Sequence, residues 1–214
     1  MTEQLSPLAL QALAVVEESG AIIGANHAHP HTIRHKGRID LVTETDIAVE
    51  AFLKERLATL APQAGFLAEE SAEDLSLPDT CWIIDPVDGT TNFAHGLPGE
   101  IVLGIVNAPL LRECFIAEKG KGAWRNGERI SVSSVTACEN ALVATGFPYE
   151  IASRVDEILE RMRPVLSSCQ GVRRCGAAAL DLAWTACGRF DAFYEDELKP
   201  WDMAAGALLV TEAG

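Results

Sequence analysis

Positive charge is scarce in this sequence. Lys and Arg number 17 against 31 Asp and Glu in 214 residues, for a formal net charge of −14. Phosphate backbones and anionic membrane surfaces must be neutralised by Lys and Arg, so this balance argues against a general nucleic-acid or membrane-surface binder. A small phosphorylated ligand stays open, because bound cations reverse the local sign of a site. Paired cysteine motifs are missing too. Cys81, Cys114, Cys138, Cys169, Cys175 and Cys187 form no CxxC pair and no zinc-ribbon spacing. They read as free, mostly buried thiols of a reducing cytoplasm. The longest early apolar stretch, Leu8 to Val16, holds Gln11 and is too short for a membrane span. The opening MTEQLSP lacks the basic start of a signal peptide. Internal repeats, low-complexity tracts, Pro/Ser linkers and a convincing Ser, Cys or His nucleophile triad are all lacking.

What is present is a globular composition. Hydrophobic residues make up 48% of the chain and charged residues 22%, enough burial to offset the ordering entropy and to exclude disorder or a collagen-like repeat. The length fits one large domain or two tightly joined lobes. Ser6 can cap a first helix that has Pro7 at its favoured first position. Leu5, Leu8, Ala12, Leu13 and Val16 recur there at helical spacing, and Gly20 or Gly24 should end it. Residues 27–38 read as an irregular basic loop. A second helix is expected from about 43–46 to 60, with Val49, Phe52, Leu53, Leu57 and Leu60 as its buried stripe. Strands follow at 65–68 and 81–85. From 101 to 145 the pattern is mostly β, with Asn126-Gly127 as a hairpin signal and alternation over 129–132. Helices at about 151–166, 177–187 and 200–214, and a strand at 190–194, complete a layered α/β arrangement with mixed sheets.

The chemistry concentrates in Trp82 to Asn92, WIIDPVDGTTN. An apolar strand runs into Asp85, and Asp88 adds a carboxylate three residues on. Two carboxylates on one loop repel each other unless cations lie between them, and hard oxygen donors suit Mg²⁺. Gly89, Thr90 and Thr91 then offer backbone N–H groups, read here as opening a helix that favours phosphate. Asp85 and Asp88 could instead cap a turn. Glu69-Glu70 ends the strand at 65–68, either as a solvated pair or as a ligand. Trp201-Asp202 stands in the first turn of the last helix, where Asp ordinarily compensates the helix dipole or caps.

AEES (68–71), WIIDPVDGTTNF (82–93) and LKPWDMAAGALLVTEAG (198–214) resemble the signature motifs of the inositol monophosphatase family, part of the magnesium-dependent, lithium-sensitive phosphatase superfamily. DLVTETD (40–46), EKGKGAWRNG (118–127) and RRCGAAALDLAWTACGRFDAFYE (173–195) extend the resemblance over nearly the whole chain. It implies an αβαβα sandwich of the inositol monophosphatase and fructose-1,6-bisphosphatase type, with one lobe at about 1–145 and another at about 146–214. It implies Mg²⁺, two or three ions, bound by Glu69, Asp85, the Val87 carbonyl, Asp88 and Asp202. Glu69 and Thr90, the latter hydrogen-bonded to Asp46, would activate the water. Val87, Asp88, Gly89 and Thr90 would hold the phosphate, and Gly176, Ala177, Ala178, Glu195 and Asp202 would face the alcohol. The expected activity is cytoplasmic hydrolysis of a small polyol phosphate, inositol 1-phosphate first, by a homodimer. Histidinol phosphate, fructose 1,6-bisphosphate, NADP and a nucleotide 3′-phosphate are the alternatives. A non-catalytic interaction protein that keeps the fold is the alternative of another class.

Three departures from the family pattern stand out. The chain stops at Gly214 inside the last motif, so an incomplete second lobe is expected. The stretch 98–106 is short where the family has a further strand and hairpin. Ala177 stands where many relatives have Ser or Thr. Other signals read as structural. His27, His29, His31 and His35 alternate in a solvated loop, and Lys36 beside them is either a surface charge or, as the resemblance implies, a neighbour of the metal site. KGKGAW (119–124) is a turn without phosphate-loop spacing. Arg173-Arg174 serve an anionic substrate or ion pairs, and the four tryptophans are scattered packing anchors.

Overall fold

A computed structural model describes residues 4–27, 34–35, 41–42, 44–73, 79–87, 90–95, 100–148 and 150–214. The first part of the chain gives helix α1 (Pro7–His27), short strands β1 (Arg34–His35) and β2 (Leu41–Val42), and helix α2 (Glu44–Leu60). Strands β3 (Gly65–Ala68), β4 (Thr80–Asp85), β5 (Thr90–His95), β6 (Ile101–Ala108), β7 (Glu113–Glu118), β8 (Gly122–Arg125) and β9 (Glu128–Arg129) follow. They lie in chain order in one seven-stranded sheet, parallel only between β3 and β4. The rest comprises β10 (Leu142–Thr145), α3 (Val155–Ser168), β11 (Gly171–Arg173), α4 (Ala178–Ala186), β12 (Ala192–Tyr194) and α5 (Pro200–Ala213). The second sheet is parallel throughout, in the order β11-β10-β12.

Alternation along the strands decides which helices cover which face. Trp82, Ile84, Leu103, Ile105 and Ile116 pack with Ala12, Val16, Val49, Leu53 and Leu57 of α1 and α2. Val106, Phe115, Ala117 and Ala123 face the other way, onto Ala179, Ala183, Ala205, Leu208 and Leu209 of α4 and α5. Small residues let α5 lie close. A Cβ on Gly104 of β6 would fall 2.9 Å from the Ala205 backbone, and one on Gly206 would overlap Leu182 of α4. Ile158 and Met162 of α3 border a small cavity with Gly146, Phe147 and Tyr194 at the end of the second sheet. Helix pair, sheet, helix pair, sheet and helix make the αβαβα order expected from the sequence.

Several local expectations hold. Ser6 Oγ accepts from the Ala9 N–H at 3.2 Å, so the first helix is capped as its sequence suggests. Asn126 and Gly127 both take positive φ, 49° and 85°, as a type I′ hairpin between β8 and β9 requires. Others are corrected. α1 runs through Gly20 and Gly24 to His27. Gly20 marks a close crossing, where a Cβ would sit 3.0 Å from both Asn107 Nδ2 and Pro109 Cβ. The longer helix is, over Pro7–Asn26, apolar and long enough to cross a membrane by length and composition, unlike the short run read from the sequence. Here one side of it packs in the core through Ala9, Ala12, Leu13 and Val16. Within the expected loop at 27–38, His27 ends α1, and Arg34–His35 pairs with Leu41–Val42. His29, His31 and Lys36 lie outside the described residues. The alternation at 129–132 yields strand only through Arg129, and the third long helix starts at Val155 after a single 3₁₀ turn. All six cysteines are unpaired, but only Cys81 and Cys114 are buried, while Cys138 and Cys175 are exposed.

Candidate active site

The candidate acids begin at the edge where β3 and β4 end. These strands are parallel, with Leu67 opposite Ile83 and Ala68 opposite Ile84. The Glu69 N–H continues the ladder by donating to the Ile84 carbonyl at 3.1 Å. Glu69 therefore follows its strand at the level of Asp85. Asp85 is 4% exposed, and its Oδ1 accepts from the Val87 N–H at 3.3 Å. The turn-capping role open to Asp85 in the sequence is thus real, and it coexists with a buried carboxylate at a strand end. The Val87 side chain points outward, 48% exposed. Period-two alternation puts Asp85 on the face of Cys81 and Ile83, which pack with Leu67, Trp201 and Ala204. The start of α5, and Asp202 with it, therefore lies over the face that carries Asp85.

Thr90 is the first residue of β5 and pairs directly with Asp85. This corrects the expectation that Gly89, Thr90 and Thr91 open a helix. The chain instead folds back as an antiparallel strand, because Thr91, Asn92 and Phe93 find partners on both β4 and β6. Asp88, Gly89 and the Thr90 side chain lie outside the described residues. Asp46 is 7% exposed in the first turn of α2, the helix whose Glu50 accepts from the Glu70 N–H. Asp202 shows the helix-capping role directly, with its Oδ2 accepting from the Lys199 N–H at 2.6 Å.

The second sheet leads into the start of α5. Because β10, β11 and β12 are parallel, their carboxyl ends share one edge, the usual place for ligands in open α/β sheets. Gly176, Ala177 and Ala178 follow β11 there. Gly176 has φ 101°, which a side chain would strain, and Ala177 precedes the buried Ala178 at the start of α4. Glu195 follows β12, and its carboxyl lies against Gly146, where any Cβ would collide with it. The short 195–199 segment then leads into α5 and Asp202. The predicted alcohol-facing residues thus share the edge from which the capped acid helix starts.

Three residues of this region were not legible beforehand. Gly146 is required by the Glu195 carboxyl. Glu50 shows only as the residue one helical turn beyond Asp46. Asp181 of α4 is 1% exposed, and neither of its oxygens has a close hydrogen-bond donor among the described residues. Burial pushes its pKa up, against a weaker pull from the Cys175 thiol and the Arg174 guanidinium. Although Cys175 is an exposed residue, partial desolvation of its thiol and then the neighbouring Asp181 carboxylate raise its pKa to about 11.

The donor set at the acid edge is carboxylate and carbonyl oxygen, which fits a hard cation such as Mg²⁺ and not a soft one. A carboxylate as buried as Asp85 also gains from a nearby positive charge. Among the described residues, no three His, Cys, Asp or Glu side chains gather closely enough to hold an ion. Asp88 falls outside that set.

The inositol monophosphatase family model matches residues 4–214, and the chain belongs to that family. It is 41% identical over 220 aligned positions to an inositol monophosphatase of Dictyostelium discoideum, spanning 95% of this chain and 81% of that protein. It is 36% identical to the Nus factor SuhB of Escherichia coli strain K12, spanning 98% of this chain and 84% of that protein. Among solved structures, the extragenic suppressor protein suhB of Bartonella henselae superposes with a TM-score of 0.88 at 33% identity, over 98% of this chain and 86% of that one.

Proposed function

We propose that the protein is a Mg²⁺-dependent phosphomonoesterase that hydrolyses a small polyol phosphate, inositol 1-phosphate above all. One observation carries this reading: the parallel register that brings Glu69 level with the buried Asp85, on strands whose face is covered by the start of α5. Similarity to proteins named inositol monophosphatase and inositol-1-monophosphatase supports the chemistry. Glu69, Asp85, the Val87 carbonyl, Asp88 and Asp202 would hold two or three ions. A carboxylate has two oxygens and about four lone-pair directions, so capping α5 is compatible with a ligand role for Asp202. Ions held there would supply charge that lowers the pKa of the attacking water and stabilises the leaving alkoxide.

The chain's own groups bind and orient. Glu69 accepts a proton of the attacking water, with Thr90 turned toward that water by Asp46. Backbone N–H groups at Gly89 and Thr90, flanked by Val87 and Asp88, hold the phosphate. Gly176, Ala177, Ala178 and Glu195 receive the alcohol hydroxyls, with Asp202 beside them. Little covalent work falls to the protein, because positioning and charge neutralisation dominate phosphoryl transfer. We further propose, as the resemblance implies, a cytoplasmic homodimer that Li⁺ inhibits.

The test is phosphate release with Mg²⁺ from inositol 1-phosphate, histidinol phosphate, fructose 1,6-bisphosphate, NADP and a nucleotide 3′-phosphate. Fastest turnover of the inositol ester is expected, and a strong nucleotide preference would reassign the substrate. The similarity to proteins named Nus factor SuhB favours a second reading, an interaction role for the same fold. A folded sample that neither releases phosphate nor binds Mg²⁺ at millimolar concentration would support that reading instead.

A further inference from the structure

One turn beyond Asp46, α2 buries a second carboxylate. Glu50 is 5% exposed, and an acid that deep needs hydrogen-bond or charged partners. Its Oε2 accepts from the Glu70 N–H at 2.8 Å. Its Oε1 lies 3.8 Å from Lys54 Nζ, one helical turn along. Lys54 Nζ in turn donates to Ser71 Oγ at 2.9 Å and stands 5.9 Å from the centre of the Phe66 ring. The N–H groups of Ser71 and Ala72 both return to the Ala68 carbonyl, at 3.2 and 2.8 Å.

Glu69 sits between these anchors. The peptide on its amino side is held through its own N–H on Ile84 of β4, and the peptide on its carboxyl side through the Glu70 N–H on Glu50. Each peptide is planar, so holding both restricts the two soft dihedrals of Glu69 and with them the direction of its Cα–Cβ bond. Without such a hold, acids crowded at one edge repel and splay apart.

We propose that Glu50 is a positioning residue for the reaction: by holding the Glu70 amide it fixes the backbone on both sides of Glu69 and aims that carboxylate along the Asp85 edge. The role of Glu69 rests on the phosphatase reading above, whereas the hold on it rests on the hydrogen bonds. Two substitutions in the full chain separate reach from charge. Glu50→Asp keeps the charge but withdraws the oxygen by about one C–C bond, ~1.5 Å. Glu50→Gln keeps the reach and an accepting oxygen but removes the charge.

Glu50→Asp is expected to speed hydrogen exchange at the Glu70 amide. It should weaken Mg²⁺ binding, read by calorimetry, by about 10-fold or more, the scale seen when groups that orient metal ligands are altered. It should also lower kcat while leaving substrate KM unchanged. Glu50→Gln should restore all three readouts to near wild type. A folded Glu50→Asp protein that binds Mg²⁺ like wild type, or a Glu50→Gln protein as impaired as Glu50→Asp, overturns the proposal. Wild type that binds no Mg²⁺ overturns the metal reading itself, and Glu70 exchange in Glu50→Asp, accelerated or unchanged, then still decides for or against the hold.

Discussion

The two sheets are built differently. The seven-stranded sheet is covered on both faces, and Trp82, Ile83, Ile84, Ile105 and Ile116 are almost wholly buried in it. The three-stranded sheet is only partly covered. α3 buries none of its residues, and Val155, Leu159 and Leu166 on it are 42%, 51% and 57% exposed. Glu113 of β7 ties α4 and the turn after it to the large sheet, accepting from Trp184 Nε1 at 3.1 Å and from Arg189. Buried apolar contacts set local resistance to opening, so the large sheet is the stiffer of the two. The division suits the proposed chemistry. Carboxylates that must keep one geometry belong on the stiff sheet, and groups that choose among alcohols can sit on the softer one.

That contrast can be broken by substitution, starting where the effect is largest. Asp85→Asn on the stiff edge should lower kcat by about 10³-fold, since under the proposed function it would remove a metal-holding carboxylate and several kcal/mol of charge stabilisation. Its thermal midpoint should be unchanged or higher, because a buried charge is replaced by a neutral group of the same shape that can still accept from the Val87 N–H. Turnover near wild type in a phosphate-release assay would remove Asp85 from the machinery. Glu69→Gln should cost about 10²-fold in kcat, with KM little changed, as for a lost general base. On the soft side the expected effect is of another kind. Gly146→Ala drives a methyl into the Glu195 carboxyl. It should raise KM for the polyol ester more than it lowers kcat, and cost about 1–3 kcal/mol in denaturant unfolding. An equal loss in kcat and kcat/KM would place Glu195 among the groups that act only in the transition state.

The smallest effect is a pH dependence of stability. Burial raises the pKa of Asp181 in the folded protein, so the native state holds that proton more tightly than the unfolded chain does. Stability should then fall as pH rises from the unfolded Asp value of about 3.9 through the raised folded value. Asp181→Asn should abolish this decline, matching wild type near pH 3 and exceeding it at pH 7 in urea titrations. A steeper decline in the variant would show that the Asp181 charge is compensated after all.

Much of the stiff half was legible in the sequence. WIID reads as a buried strand ending on an acid because three consecutive apolar or aromatic positions leave few other homes for it, and Asn126-Gly127 names its own turn. The residues after Asp88 were misread because local chemistry, Gly followed by two Thr, fits a helix start as well as a hairpin. The β6 partner that decides the matter is set by tertiary pairing. The level placement of Glu69 and Asp85 was equally hidden, being a register between strands separated by a loop. Glu50 was invisible for a different reason: a Glu on an amphipathic helix normally faces water, and only the Glu70 amide opposite it gives the position a meaning. Gly20 punctuates helices in most contexts, yet here the crossing with Asn107 and Pro109 turns it into a contact point within one.

α5 packs against the large sheet through Ala204 and Ala205 and follows β12 of the small one, although it comes after both in the chain. During synthesis the two strands bearing Glu69 and Asp85 therefore leave the ribosome long before the helix that covers them. Until that helix arrives, their apolar face has no lid. A nascent chain at that stage should interest holdase chaperones, and the proposed metal site would be completed only when α5 slots into place.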